Sequence, residues 1–425
     1  MEAISSYLPT VFKQISDSLH QHSTPVDTIT YVNFTQMDLL NKTALVLLVA
    51  YERGFQVWDL SEPSSPALLA SKRNPGVACI QHLHQGFLAL SPLYETLEWP
   101  KNTLQLFSLF PLEQTSSIRA SCSINHFLAN ESVIALALVD YEIEVYCSET
   151  LELKYSISAG RGGIGDFEII MTLSSLHLAY SLSVLSEPKD NAEPSLTNVI
   201  SNKVFSFAEN GFNTMRNYIE QSGYLTAPYN YLGKVCIHQL DSGQAYCEFQ
   251  AFTSSISYMK FSPSSRLLVV AHASGQYLHI YKIESSPKYT LVYKLTRGLT
   301  CALISDITIS LDEAWVVVSS SRGTSHVYSI VPDCSSLNYN HPVFTRIKHA
   351  HFLDRQLYPK CHIQLVNKFR PGLEDQVEPC PPELLTMCQS GVYTRHVLDA
   401  SPMQLSANML ARPVAFKEKF PRNEG

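Results

Sequence analysis

No Cys-x-x-Cys pair occurs among the ten cysteines of this 425-residue chain. That spacing marks zinc knuckles and redox-active dithiols, so both readings lose their usual support. Cys122, Cys147, Cys236, Cys247, Cys301 and Cys388 fall instead in apolar, strand-like runs. Such placement predicts buried, reduced thiols rather than disulfide staples, and a cytosolic chain. Sequons such as Asn33-Phe34-Thr35 then carry no sugar. Charge is also scarce: 16% of residues are charged, with a net charge of −7. The chain as a whole is therefore no polyanion binder, and no nucleic-acid partner is expected. No apolar run reaches the roughly 18 residues of a membrane span. The N-terminus lacks the charged and apolar regions of a signal peptide. Membrane contact, if present, is expected to be peripheral.

Catalytic motifs are missing as well. There is no G-x-S-x-G elbow, and no Ser-His-Asp or Cys-His set has local support. Gly160 to Gly165 (GRGGIG) matches G-x-G-x-x-G, but the strand-like "DFEIIMTL" follows it. A dinucleotide site needs a helix there, so the glycines predict a turn between sheets. His82 with His84, and His349 with His351, are i, i+2 pairs on one face of a strand. No carboxylate or thiol stands at ligand spacing from either pair. No enzyme activity, metal or cofactor is expected.

What is present is repetition. The chain is 45% apolar, with plentiful β-branched and aromatic residues, which favours sheet. Alternating strands ending near an aromatic or His recur at Phe55–Trp58, Leu104–Phe107, Ile143–Tyr146, Val235–His238, Leu278–Tyr281 and Ser325–Tyr328. Most spacings are roughly 40 to 50 residues, the period of a four-stranded propeller blade. Near-continuous apolar runs precede them, as at Ala44–Ala50, Ile134–Leu138 and Leu267–Ala271. Such runs suit inner strands covered on both faces. "QVWDLS", Gln56 to Ser61, resembles the end of a WD40 repeat.

The pattern predicts an all-β, seven-bladed WD40-like β-propeller over 26–400, with blades near 29–71, 77–119, 121–158, 165–252, 253–295, 303–335 and 344–398. Blade four is too long. Its insert, about 184–230, has Ile200, Val204, Phe207, Phe212, Met215 and Ile219 at helical spacing. That predicts a helical insert in blade four. Apolar spacing from Ile4 to Leu19 predicts a helical lead-in over 1–25, and 401–425 reads as a C-terminal tail.

One stretch stands apart in charge. Thr253 to Thr300 holds six basic residues against the single acid Glu284, a local surplus of +5. A positive face attracts an anionic surface within a Debye length of about 8 Å, and each base near an anionic membrane contributes about 1 kcal/mol. Thr296-Arg297-Gly298 lies at the junction of blades five and six. Gly298 permits a tight turn. Arg297 offers a bidentate fork, and Ser319, Ser321, Thr324 and His326 of the next blade are candidates to converge with it on one phosphate.

This junction resembles a known pattern. The phosphoinositide-binding propellers of autophagy, the PROPPINs, carry Phe/Leu-Arg-Arg-Gly there, where this chain has Leu295-Thr296-Arg297-Gly298. A closer resemblance is to the breast carcinoma amplified sequence three family. It is carried by "FQAFTSSISYMKFSPSSRLLVVA" from Phe249, "YKLTRGLTCALISDI" from Tyr293 and "SSSRGTSHVYSI" from Ser319. The insert "VFSFAENGFNTMRNYI" is similar to the helical insert of plant and fungal-type members. The resemblance implies a non-enzymatic adaptor binding phosphatidylinositol 3-phosphate-type headgroups, with a protein partner, at sites of autophagosome formation. It implies a cytoplasmic protein peripherally associated with autophagic membranes. Thr296 stands where PROPPINs have their first arginine, which weakens a pocket facing blade five and leaves His272 and Ser274 as secondary candidates. Some members are linked instead to the cytoskeleton and cell polarity. A scaffold with a vestigial lipid site, where Arg297 braces two blades through backbone carbonyls, is the alternative. Many relatives continue beyond the position of Gly425 with a further region.

Overall fold

The computed structural model describes residues 28–330 except 40–41, 62–65, 74–75, 85, 161–166, 185–231 and 322, together with the later strands named below. No helix occurs among the described residues. The expected lead-in over 1–25 and the insert helix lie outside them.

Antiparallel four-stranded sheets follow one another along the chain. Blade one runs Ile29–Leu39, Lys42–Tyr51, Gly54–Asp59, Ala67–Arg73, and blade two Val77–His82, Phe87–Pro92, Thr103–Leu109, Leu112–Arg119. Blade three is Ile124–Ala129, Val133–Leu138, Glu142–Cys147, Leu153–Ser158. Blade four is Phe167–Leu173, His177–Val184, Lys234–Gln239, Ala245–Gln250. Blade five is Ile256–Phe261, Leu267–His272, Tyr277–Ile283, Tyr289–Thr296, and blade six Ile304–Ile309, Trp315–Ser320, Thr324–Ser329, Thr345–Lys348. The strand Phe167–Leu173 follows the Gly160–Gly165 motif, which removes the helix that a dinucleotide site requires.

Six blades, rather than the expected seven, have this regular course. One more sheet pairs Cys361–Val366, Glu383–Cys388 and Val392–Val397, with Arg412–Pro413 and Glu418–Lys419 on its outer edge. A two-stranded ribbon, Phe369–Pro371 with Val377–Pro379, interrupts it. The boundary expected between blades six and seven also shifts. The outer strand of blade six is Thr345–Lys348, beyond the expected end at 335. The chain first runs along blade five, where Asn338–His341 pairs in parallel with Tyr293–Leu295.

The second strand of each blade explains why the apolar runs fold as they do. All six residues of Val133–Leu138 and of Trp315–Ser320 are buried, because neighbouring blades cover both faces. Each fully buried Val, Leu or Ile contributes roughly 1.5–3 kcal/mol. Polar ties link the inner strands. Asp306 of blade six accepts from Tyr258 of blade five (2.9 Å) and from the Ile363 amide (2.9 Å) of the last sheet. None of the described cysteines expected to be buried is fully so: Cys301 lies exposed on the link between blades five and six. Cys122, Cys147, Cys236 and Cys247 are half-buried free thiols.

Candidate functional site: the blade five to six junction

The last strand of blade five ends with Tyr277 paired to Thr296, and one more ladder bond follows, from the Arg297 amide to the Gln276 carbonyl (2.8 Å). The chain then turns at Gly298, whose φ of +115° suits glycine. Arg297 cannot follow the turn into solvent and folds back, only 4% exposed. Its Nε donates to the Gly275 carbonyl (2.8 Å) and one terminal nitrogen donates to the Thr300 carbonyl (2.6 Å). Gly275 makes this approach feasible. Its φ is +65°, and a Cβ there would sit 2.0 Å from the Ala302 carbonyl oxygen. The link is pinned further by Ala302 N–H to the Ser274 carbonyl (3.0 Å) and Ser321 N–H to the Leu303 carbonyl (2.9 Å).

Blade six supplies the other wall. The Tyr328 hydroxyl donates to the Thr296 carbonyl (3.1 Å), so the face of that strand carrying Thr324, His326 and Tyr328 is turned toward blade five. His326 is 3% exposed, and its Nδ1 is buried without a hydrogen-bond partner. Burial, and then the charges of Arg297 and Arg346, push its pKa down to about 3, so the ring is neutral. Arg346, directly paired with His326 on the outer strand, is exposed and extends over the turn. A Cβ on Gly298 would lie 3.5 Å from its terminal nitrogen. Two guanidinium groups thus flank one neutral imidazole.

The expected residues divide accordingly. Arg297, Gly298 and His326 come together around Arg346, and Thr324 lies on the same strand face as His326. Ser319 does not: it pairs with Ser325 on the opposite face of the sheet, and the two fully buried hydroxyls bond each other. Ser321 sits at the turn, half-buried, and holds Leu303 through its amide. Thr296 is exposed, and its hydroxyl oxygen accepts from the Gly298 amide (3.4 Å). His272 and Ser274 form a separate set. The Ser274 amide donates to His272 Nδ1 (3.0 Å), which leaves the proton on Nε2 to donate to Ser254 Oγ (2.5 Å). Burial lowers the His272 pKa, and Phe252 packs edge-on at 5.0 Å. Its polar atoms serve the turn that presents Gly275 to Arg297. Arg346 was absent from the sequence-based set because its strand fell within the region assigned to the next blade. The alternation Thr345-Arg346-Ile347-Lys348 was the available signal.

Of the histidine pairs, His84 Nε2 lies 3.2 Å from the Ser148 carbonyl, and burial holds the His82 pKa at about 4. His349 and His351 lie outside the described residues. Among the described residues, no group of His, Cys, Asp or Glu is arranged to hold a metal.

The family model described as "BCAS3, WD40 repeat" matches residues 232–344, the stretch that contains this junction. Autophagy-related protein 18g of Arabidopsis thaliana is 22% identical over 415 residues, covering 71% of this chain and 43% of the relative. The chain thus spans less than half of that relative's length. Among solved structures, Kluyveromyces lactis Hsv2 aligns with a TM-score of 0.57 at 13% identity, covering 88% of this chain and 94% of that one. A complex of KlAtg21 with the coiled-coil of AgAtg16 aligns with a TM-score of 0.59 at 14% identity, covering 88% and 95%. None of these proteins is named for an enzyme activity. The chain is a BCAS3- and PROPPIN-like WD40 propeller.

Proposed function

We propose that this chain is a non-enzymatic adaptor of autophagy whose blade five to six junction binds the phosphate of a phosphoinositide headgroup. The observation that carries this reading is that Arg346 pairs with His326 and reaches over Gly298, next to Arg297, where the buried Nδ1 of His326 has no hydrogen-bond partner. The two charges that depress this imidazole lose their mutual repulsion when a dianion sits between them. Arg346, on the exposed side, contacts the phosphate with Thr324, while Arg297 holds the turn and adds its field from below. The protein works from the cytoplasm, is recruited peripherally to autophagic membranes, and engages a protein partner there. In KlAtg21 that partner is a coiled-coil of AgAtg16. The strand Cys361–Val366 packs against the inner strands of blades six and one.

The scaffold reading draws on one observation: the bonds of Arg297 to the Gly275 and Thr300 carbonyls are those of a brace. Vesicle flotation separates the two. Arg346→Glu is the variant to use, because a carboxylate at buried Arg297 would face two carbonyls and threaten the fold. Selective flotation with a phosphatidylinositol 3-phosphate vesicle, lost in Arg346→Glu, supports the headgroup site. Equal flotation of both folded proteins, or none by either, turns the assignment to the scaffold.

A further inference from the structure

The blades share one position whose occupants differ in charge. Two residues before the aromatic or histidine near the end of each third strand stand, in turn, Gln56, Gln105, Glu144, Cys236, His279 and His326. In blade six this residue lies beside Arg297. The place of Arg297 recurs as well. Its amide donates to the residue just before the third strand of its own blade. The amides of Ala120, Ala159 and Ala251 do the same, to the carbonyls of Asn102 (2.8 Å), Tyr141 (2.9 Å) and Gly233 (2.8 Å). All three alanines are buried. The junction of blades two and three therefore has a methyl group where that of blades five and six has a guanidinium, and a carboxylate in place of an imidazole.

That carboxylate is short of partners. Glu144 is 4% exposed. It accepts from the Tyr146 hydroxyl (2.7 Å) and, at longer range, from the amide of Ser121 on the link (3.3 and 3.5 Å to its two oxygens). Among the described residues no basic side chain pairs with it. A buried carboxylate without a cation is costly. Packing does not demand the charge: in the same place in blade one, buried Gln56 accepts from Tyr51 and Trp58 and stays neutral. The surroundings share its sign. Residues 121–158 hold six acids against the single base Lys154, a surplus of −5, the inverse of blade five.

We propose that the junction of blades two and three is a cation site, where Glu144 receives a guanidinium or primary ammonium group beside Ala120. The chain supplies no cation of its own there, because alanine stands where Arg297 stands in the other junction. The incoming group donates to Glu144 and replaces the long bonds from the Ser121 amide, while Tyr146 keeps its hold on one carboxylate oxygen. A charged donor on a charged acceptor makes the stronger bond, and the buried charge gains the partner it lacks. The group belongs to an arginine or lysine side chain or to a free polyamine, since the recognition chemistry is the same for both.

The test uses the full chain with isotope-labelled alanine methyl groups and two probes, the capped peptide acetyl-Ala-Arg-Ala-amide and spermidine. Saturable movement of the Ala120 methyl resonance is expected on titration. Tighter binding of the peptide marks a side chain as the ligand, and tighter binding of spermidine marks a free amine. Glu144→Gln, the side chain that blade one already accommodates, should keep the fold and weaken binding about tenfold. It should also raise the melting temperature of the free protein, because an unpaired buried charge is gone. Ala120→Arg should supply the missing cation within the chain and block both probes. No saturable shift of the Ala120 methyl with either probe overturns the site. So does Glu144→Gln that melts lower and binds as tightly as wild type, since the carboxylate is then structural.

Discussion

Blades five and six are clamped at both ends by an arginine, and the two clamps differ in what they do with charge. At one end Arg266, on the turn between the first two strands of blade five, donates to Glu313 of blade six (2.8 Å). Glu313 is 2% exposed and also accepts from Ser264. Cation and anion cancel, and the end is electrically quiet. At the other end Arg297 donates to the Gly275 and Thr300 carbonyls. Arg346 adds a second cation above it. The same two blades therefore close with an arginine–carboxylate pair on one side and with two arginines acting on a neutral histidine on the other.

The largest effect is expected from Arg297→Ala. It removes charged hydrogen bonds to two carbonyls, one on a buried glycine, and should lower unfolding free energy by about 3 kcal/mol in denaturant titration. Headgroup binding should vanish as well. Arg266→Ala should cost about 2 kcal/mol by leaving the Glu313 carboxylate buried beside only a serine, while headgroup affinity stays at the wild-type value. The double variant should show the sum of the two losses, since the clamps share no partner. A large coupling term would mean that the two ends are not independent, and the contrast would fail.

Arg346→Ala isolates charge from bracing. Its side chain is exposed, so stability should move by less than about 0.5 kcal/mol, while affinity for inositol 1,3-bisphosphate should fall about tenfold. The smallest effect is on pH dependence. His326 has a folded pKa of about 3, depressed below the usual 6.5 of the unfolded chain. As pH falls below 6.5 the unfolded chain takes up a proton that the folded protein refuses, so stability is lost toward acid. His326→Gln should make that slope slightly shallower. The change is small because His82, His126 and His279 are also held down, to about 4. Bound phosphate should raise the His326 pKa, readable from its ring shifts by NMR.

Much of this was legible along the chain, because it depends on local order. Alternation and apolar runs place strands, since a half-buried strand has a period of two wherever it sits. Arg297 and Gly298 stood out because the basic surplus and the turn glycine are contiguous. The pairing of Ser319 with Ser325 was not legible. Serines at 319, 321 and 325 look alike in sequence, and only strand register decides which face each one occupies. Arg346 was hidden for a related reason. Its strand joins blade six only after the chain has detoured along blade five, and such a detour is set by which sheet edge is open.

The sequence alone thus determined an all-β propeller, its inner strands and a basic junction around Arg297, because burial and charge are properties of residues. Only the tertiary structure decided that Arg297 turns inward onto carbonyls and that Arg346 stands over it. Those outcomes depend on two blades meeting at close range, where a single open backbone position such as Gly275 determines what fits.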